Sequence, residues 1–188
     1  QINQYGDNDG YGMNSGLLAG TASGSIINCG IIGGSVSVAS TSKAWANGAG
    51  LVGRMTGGTI KGCYVIGTKV KGSHTRNGTY VGGLVGECSG DVTITSCYTK
   101  NVQVTGNEGC NIGTFIGHSK NSNLSLTTCY YDNSGNAIGG NYSTDSDIIN
   151  GFEALTEVNF TQAITLMNAN LTDCDYIFGQ GGLFEKKP

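Results

Sequence analysis

The chain has 188 residues, of which 12% are charged, with a formal net charge of −3. Ten lysines and arginines with no cluster among them exclude the electrostatic footprint of a nucleic-acid binder, and no apolar run approaches the ~20 residues of a membrane-spanning helix. Glycine is abundant (33) and proline nearly absent (1), which without a G-X-Y period excludes collagen and argues against a linker-like disordered chain.

The first segment, Asp7-Asn8-Asp9-Gly10, imitates part of a calcium loop but lacks the later ligands and the bidentate Glu. It reads as an acidic turn, as do Asp145 and Asp147. No signal-peptide pattern stands at Gln1, so the expectation is a cytoplasmic chain or one whose leader has been removed. From residue 14 one phrase occurs four times: Gly16-Leu17-Leu18-Ala19, Gly50-Leu51-Val52-Gly53, Gly83-Leu84-Val85-Gly86 and Thr114-Phe115-Ile116-Gly117. A second phrase follows each copy and ends in Cys29, Cys63-Tyr64, Cys97-Tyr98 or Cys129-Tyr130, with the cysteines 34, 34 and 32 residues apart. A period of this size marks units that stack and complete one another's cores.

Each unit is predicted to hold three short strands: the Gly-Leu-Val-Gly segment, the β-branched run into Cys, and an alternating stretch such as Val36-Ser37-Val38 or Val102-Gln103-Val104. Residues 39–48 and 71–79 are predicted loops, with Trp45 and Lys71 to Gly78 projecting from one edge. No helical periodicity runs through residues 14–140. Propeller blades need four strands in ~40–50 residues, and an antiparallel sandwich does not explain a fixed period. The predicted fold is all-β: a β-solenoid (right-handed parallel β-helix) of about four coils, near 14–46, 47–79, 80–110 and 111–140. Residues 141–188 form a C-terminal cap with a short helix from Asn159, its N-cap, to Ala169. Phe160, Ile164 and Met167 lie on one stripe of it. A strand at Tyr176-Ile177-Phe178 follows, and the cap is expected to cover the solenoid's open end.

Stacking makes columns. Leu17, Leu51, Leu84 and Phe115 form one predicted core column, and Ile26, Ile60, Ile94 and Leu126 another. Ile60 and Cys63 are three apart, which strict alternation would place on opposite faces, so the chain is expected to bend at the small residues between them. The four phased cysteines then form a reduced, buried column, since adjacent rungs lie near the short limit for a disulfide. Cys88, Cys110 and Cys174 lie outside it, and a Cys88–Cys110 bridge is left open. Tyr64, Tyr98 and Tyr130 are expected to stack at a corner, partly exposed.

The four phased copies, built on the pattern of Gly-Leu-Val-Gly, then Ile-x-x-Cys-Tyr, then Val-x-Val, together with the Ala-x-x-Leu-Met-Asn helix and the aromatic strand after it, resemble the GLUG repeat of bacterial surface proteins over roughly residues 14 to 180. The first and fourth copies depart from the pattern, with Ala19 for the second Gly and Thr114 for the first. The resemblance implies a secreted or surface-exposed, adhesin-like protein of bacteria such as gut Bacteroidetes. It carries over no catalytic residues.

Chemistry is sparse along the repeats. Glu87, Asp91, Glu108 and Asp132 are the only acids in residues 14–140. Glu87 and Asp91 straddle one turn and read as solvated turn residues, whereas glycoside hydrolysis needs two facing carboxylates. Arg54 and Arg76 are the only arginines. His74 and His118 stand in no H-x-x-x-H or C-x-x-C pattern, and His118 reads as a surface residue; no metal or cofactor is expected. A Ser25, Thr59, Thr93, Ser125 column suggests an ice-binding ladder but lacks a paired neighbour. Asn-x-Ser/Thr triplets at Asn77, Asn123, Asn141, Asn159 and Asn170 carry little weight in so Asn-, Ser- and Thr-rich a chain. The expected function is therefore an adhesin-like binding module of the bacterial cell surface, without catalysis, whose ligand is a glycan or a host or neighbour-cell surface protein. Trp45, Tyr80, Tyr130 and Tyr131 are its candidate contact residues, because large amphipathic rings suit sugars and interfaces. A β-helical carbohydrate-active enzyme is the alternative, and a passive spacer the third reading.

Overall fold

The computed structural model describes residues 2–5, 12–41, 44–75, 78–120, 123–141 and 148–187. Asp7, Asn8, Asp9, Gly10, Arg76, Asn77, Asp145 and Asp147 lie outside the described residues. After β1 (Ile2–Tyr5), the first turn comprises β2 (Met13–Gly16), β3 (Ala19–Ile27), β4 (Gly30–Ile32) and β5 (Ser35–Ala39). The second comprises β6 (Ala46–Ala49), β7 (Val52–Lys61), β8 (Tyr64–Ile66) and β9 (Lys69–Ser73). The third repeats this as β10 (Thr79–Gly82), β11 (Val85–Ser89), β12 (Val92–Thr95), β13 (Tyr98–Lys100) and β14 (Gln103–Gly106), with β11 and β12 lying on the two halves of β7. The fourth has β15 (Cys110–Gly113), β16 (Ile116–Lys120) and β17 (Leu124–Asp132), and then β18 (Ile138–Asn141) and β19 (Ile148–Leu155) lie on β16 and β17. Three turns are complete; the fourth has no Val-x-Val strand. Helix α1 (Phe160–Ala169) and the antiparallel pair β20 (Tyr176–Phe178) and β21 (Phe184–Lys186) close the described chain.

Every pairing among β1–β19 is parallel, and like residues lie over like: Ile26, Ile60, Ile94 and Leu126 are consecutive register partners. The result is a β-solenoid in three layers. An outer sheet runs β1-β5-β9-β14, a middle sheet runs β15-β10-β6-β2, and a long sheet holds the remaining strands of the turns. The main core inside the long sheet buries Leu51, Leu84, Phe115, Ile60, Ile94, Leu126, Cys63, Cys97 and Cys129. A smaller core of Val36, Val38, Val70, Ala46 and Val81 joins the outer and middle sheets.

The middle sheet is where the structure departs most from the predicted three strands per turn. Ala46-Asn47-Gly48-Ala49 has no β-branched residue, so it reads as loop, yet it is a fully buried strand. Small residues are what the space allows. The Gly-Leu-Val-Gly phrase is not a separate strand: its first half is the corner joining middle to long sheet and its second half opens the long-sheet strand, where its second glycine faces the middle sheet's backbone. A Cβ on Gly86 would fall 2.4 Å from the Gly53 carbonyl oxygen and 3.0 Å from both N and O of Gly48.

The expected bend before cysteine is present, as a left-handed residue in every turn: Asn28 (φ 52°), Gly62 (59°), Ser96 (52°) and Thr128 (50°), with Gly151 (66°) on β19. Such a conformation costs a non-glycine residue about 1–2 kcal/mol. It turns the chain so that Ile60 and Cys63 both face the core. The cysteines stand in a row, with the amide of Cys29 on Cys63 Sγ (3.4 Å) and that of Cys63 on Cys97 Sγ (3.3 Å). All seven are free thiols. Burial pushes the Cys97 thiol well up. The Cys88–Cys110 bridge does not form: Cys88 lies in the main core, while Cys110 abuts Gly72 and Gly106 of the outer sheet.

Strand β19 does lie on the last turn, with the Phe152 ring 5.1 Å from that of Phe115, but the segment from helix α1 onward does not cover the open end. That segment lies along the flank, across the tyrosine column. Leu171 packs beside Gly62, Ser96 Oγ donates to the Met167 carbonyl (2.9 Å), Asn170 Nδ2 donates to Thr128 Oγ1 (3.1 Å), and the Tyr98 hydroxyl donates to the Gly182 carbonyl (2.7 Å). Tyr64, Tyr98 and Tyr130 are therefore buried with Met167, Leu171 and Phe178 rather than partly exposed. Burial of these three cap residues against the tyrosine row contributes on the order of 5–9 kcal/mol before ordering entropy. Lys61 pairs with Asp173 at the same flank and holds its carboxyl below the usual range through a hydrogen bond. Asn159 precedes the helix, but its side chain turns back to the Ala154 carbonyl and the Thr156 amide instead of capping it.

Two outcomes follow. Gly86→Ala should lower stability by at least about 2 kcal/mol, a fall in Tm of roughly 4–8 °C, while Gly181→Ala, with nothing within 4 Å, should leave Tm unchanged in the same thermal melts. Burial also raises the hydroxyl pKa values of Tyr64, Tyr98 and Tyr130. The unfolded chain then releases these protons first, so stability is complete at neutral pH and declines above about pH 9–10. Denaturant midpoints measured from pH 7 to 11 should show that decline, and a flat profile would contradict the buried tyrosine row.

Candidate functional site

Of the four aromatic candidates, the structure brings Trp45 and Tyr80 together, buries Tyr130 and sets Tyr131 apart from that pair. Tyr130 is 3% exposed beneath the C-terminal segment. Tyr131 is half-buried, with its ring 4.9 Å from that of Phe152. Trp45 and Tyr80 share one face of the middle sheet. Trp45 stands at the head of β6, 42% exposed, with its indole lying over Gly12: a Cβ there would fall 2.1 Å from Nε1. Gly78 occupies the equivalent position one turn on, and the Tyr80 hydroxyl lies over it, 2.4 Å from where a Cβ would stand. The flanking glycines make room for both aromatic side chains.

Beside them runs a polar seam built by the tight corner. Register stacks Asn14, Asn47, Tyr80 and Asn111 in a middle-sheet column and Thr21, Arg54, Glu87 and His118 in a long-sheet column. The two columns meet within the first turn, Asn14 to Thr21, and from one turn to the next, Asn47 to Glu87 and Tyr80 to His118. Asn14 Nδ2 donates to Thr21 Oγ1 (3.0 Å). Asn47 Nδ2 donates to both Asn14 Oδ1 (2.7 Å) and Glu87 Oε2 (2.7 Å). Arg54 Nε lies 3.2 Å from the same Glu87 oxygen, an ion pair rather than an aligned hydrogen bond, with its side chain 31% exposed. The Tyr80 and His118 rings stack at 4.2 Å and 14°. Asn47 Oδ1 has no hydrogen-bond partner among the described residues, although Asn47 is fully buried.

Two expectations are overturned here. Glu87 is not a solvated turn residue but sits buried in β11, and His118 is not on the surface but 1% exposed in β16. Both are covered because the glycine corner folds the middle sheet over their column. Asp91 does lie exposed at a turn, accepting from Asn123 Nδ2 at 2.7 Å. The seam was missed because its members look unrelated along the chain; the repeat period, which puts Asn47 and Tyr80 in one column and Arg54, Glu87 and His118 in another, is the signal that finds it.

Chemically the seam offers amide, guanidinium and ring faces around one carboxylate, whose Oε2 is already engaged. No second carboxylate faces Glu87 among the described residues, and no group of three or more metal-ligating side chains occurs among them. The Ser25, Thr59, Thr93, Ser125 column is in register, but its neighbouring column carries Ile27 and Lys61 beside Thr95 and Thr127. A cleft of about 210 Å³ near Lys100, Asp132 and Glu157 is internally matched: Asp132 accepts the Val102 and Ser134 amides, and Lys100 pairs with Glu157 at 3.4 Å. It serves as the joint between turns and cap.

Compared with protein-family models, curated proteins and solved structures, the chain gives no match.

Asn47→Asp tests the seam. It removes both donated hydrogen bonds and sets a carboxylate against Glu87, so stability at pH 7 should fall by about 3 kcal/mol or more. The loss should exceed that of Asn47→Leu, which removes the same hydrogen bonds without adding a charge, in the same denaturant titrations. An equal loss for the two variants would show that Glu87 does not face this position.

Proposed function

We propose that the chain is a non-catalytic, adhesin-like binding module of the GLUG kind, displayed outside a bacterial cell, and that it binds a glycan on the Trp45–Tyr80 face. The observation that carries this reading is the placement of an exposed indole and a phenol on one sheet face beside the Arg54 guanidinium and the amides of Asn14 and Asn111. Aromatic faces stack on the apolar faces of sugar rings, while amide and guanidinium groups meet their hydroxyls. The face is carried on paired strands rather than loops, which keeps its geometry fixed. Glu87 then acts by positioning: it holds Asn47 and Arg54 in place.

The test is a glycan array followed by titration of the best ligand. Trp45→Ala should weaken binding about tenfold or more, while Tyr131→Leu, away from the face, should leave it unchanged. Equal affinity of the Trp45→Ala protein would overturn the assignment of the face. Turnover on a polysaccharide panel that disappears with Glu87→Gln would overturn the non-catalytic reading in favour of a β-helical carbohydrate-active enzyme.

A further inference from the structure

The outer sheet turns its valines inward and leaves its other face to solvent. Val36 and Val70 are 1% exposed, and the residues alternating with them face out: Ser35 and Ser37 on β5, Lys69 and Lys71 on β9, Gln103 and Thr105 on β14. These six line a shallow groove of about 250 Å³. The strands β1, β5, β9 and β14 contain no acidic residue, so this face is positive on a chain whose net charge is −3.

The two lysines are unusual for their place. Lysine is depleted in strands, and its common task there is to guard a sheet edge. Strand β9 is not an edge, because β5 and β14 flank it. Lys61 and Lys100 each meet an acid, Asp173 and Glu157. Among the described residues Lys69 and Lys71 pair with none. Two lysines whose Cα atoms stand roughly 7 Å apart along one strand, with hydroxyl and amide donors on the neighbouring strands, therefore present an unmatched positive line in a groove.

We propose that this face is a second binding surface, distinct from the Trp45–Tyr80 face, for a linear uronate-bearing polysaccharide. Its carboxylates pair with Lys69 and Lys71, and its ring hydroxyls meet Ser35, Ser37, Gln103 and Thr105. Two cations in single file suit a polymer carrying about one charge per sugar. A nucleic acid or a heavily sulfated chain demands a denser basic cluster, which this face lacks.

Polygalacturonate is the probe, titrated at low salt, with dextran as the neutral polymer and heparin as the sulfated one. Polygalacturonate should bind and weaken as salt rises, and dextran should not bind this face. The Lys69→Ala/Lys71→Ala protein should lose about tenfold in affinity with its Tm unchanged, since both side chains are exposed, while Lys69→Arg/Lys71→Arg should retain binding. Trp45→Ala should leave polygalacturonate binding intact, which separates this surface from the first. Absence of binding by the native chain, equal affinity of the double-alanine protein, or preference for heparin would each overturn the proposal.

Discussion

The constraint on which the molecule depends is the meeting of two sheets backbone to backbone. Face-packed sheets ordinarily stand ~10 Å apart, with side chains between them. Here the second glycine of three of the four corner phrases removes those side chains, and middle-sheet main chain lies directly against Gly53, Gly86 and Gly117. This contact favours the small residues of β6. It brings the middle-sheet column of Asn47 and Tyr80 against the long-sheet column, where Glu87 and His118 are buried.

Parallel stacking adds a second rule: each residue must tolerate its counterpart one turn above and one below. Like charges opposite one another destabilise a sheet. Neutral columns such as the four cysteines or the three tyrosines satisfy the rule at once. Charged columns must alternate. Arg54 sits between Thr21 and Glu87. Lys69 sits between Ser35 and Gln103, and Lys71 between Ser37 and Thr105. The low charge content of the chain is a consequence of this geometry as much as of its surroundings.

What could be read from the sequence was whatever repeats. The period, the Leu51–Leu84–Phe115 and Ile60–Ile94–Leu126 core columns, the cysteine row and the bend before it follow from spacing alone, because each turn supplies the same evidence again. What could not be read depends on one segment covering another. Ala46 to Ala49 carries no strand-forming residue because its environment selects for size. Tyr130 is buried because a helix some thirty residues later lies over it. The polarity of Glu87 and His118 suggested water, and only the fold of the corner reveals that they are enclosed.

The flank-lying C-terminal segment alters how such a solenoid must assemble. In a simple stack each unit touches only its neighbours, so formation may begin anywhere and spread. This segment touches Gly62 in the second turn, Ser96 and Tyr98 in the third, and Thr128 and Tyr130 in the fourth. It has no complete dock until all three are wound, and it follows them in the chain. Its seating is thus a terminal latch: winding proceeds locally and reversibly until the last-made piece clips across the windings and turns a row of independent units into one cooperative body.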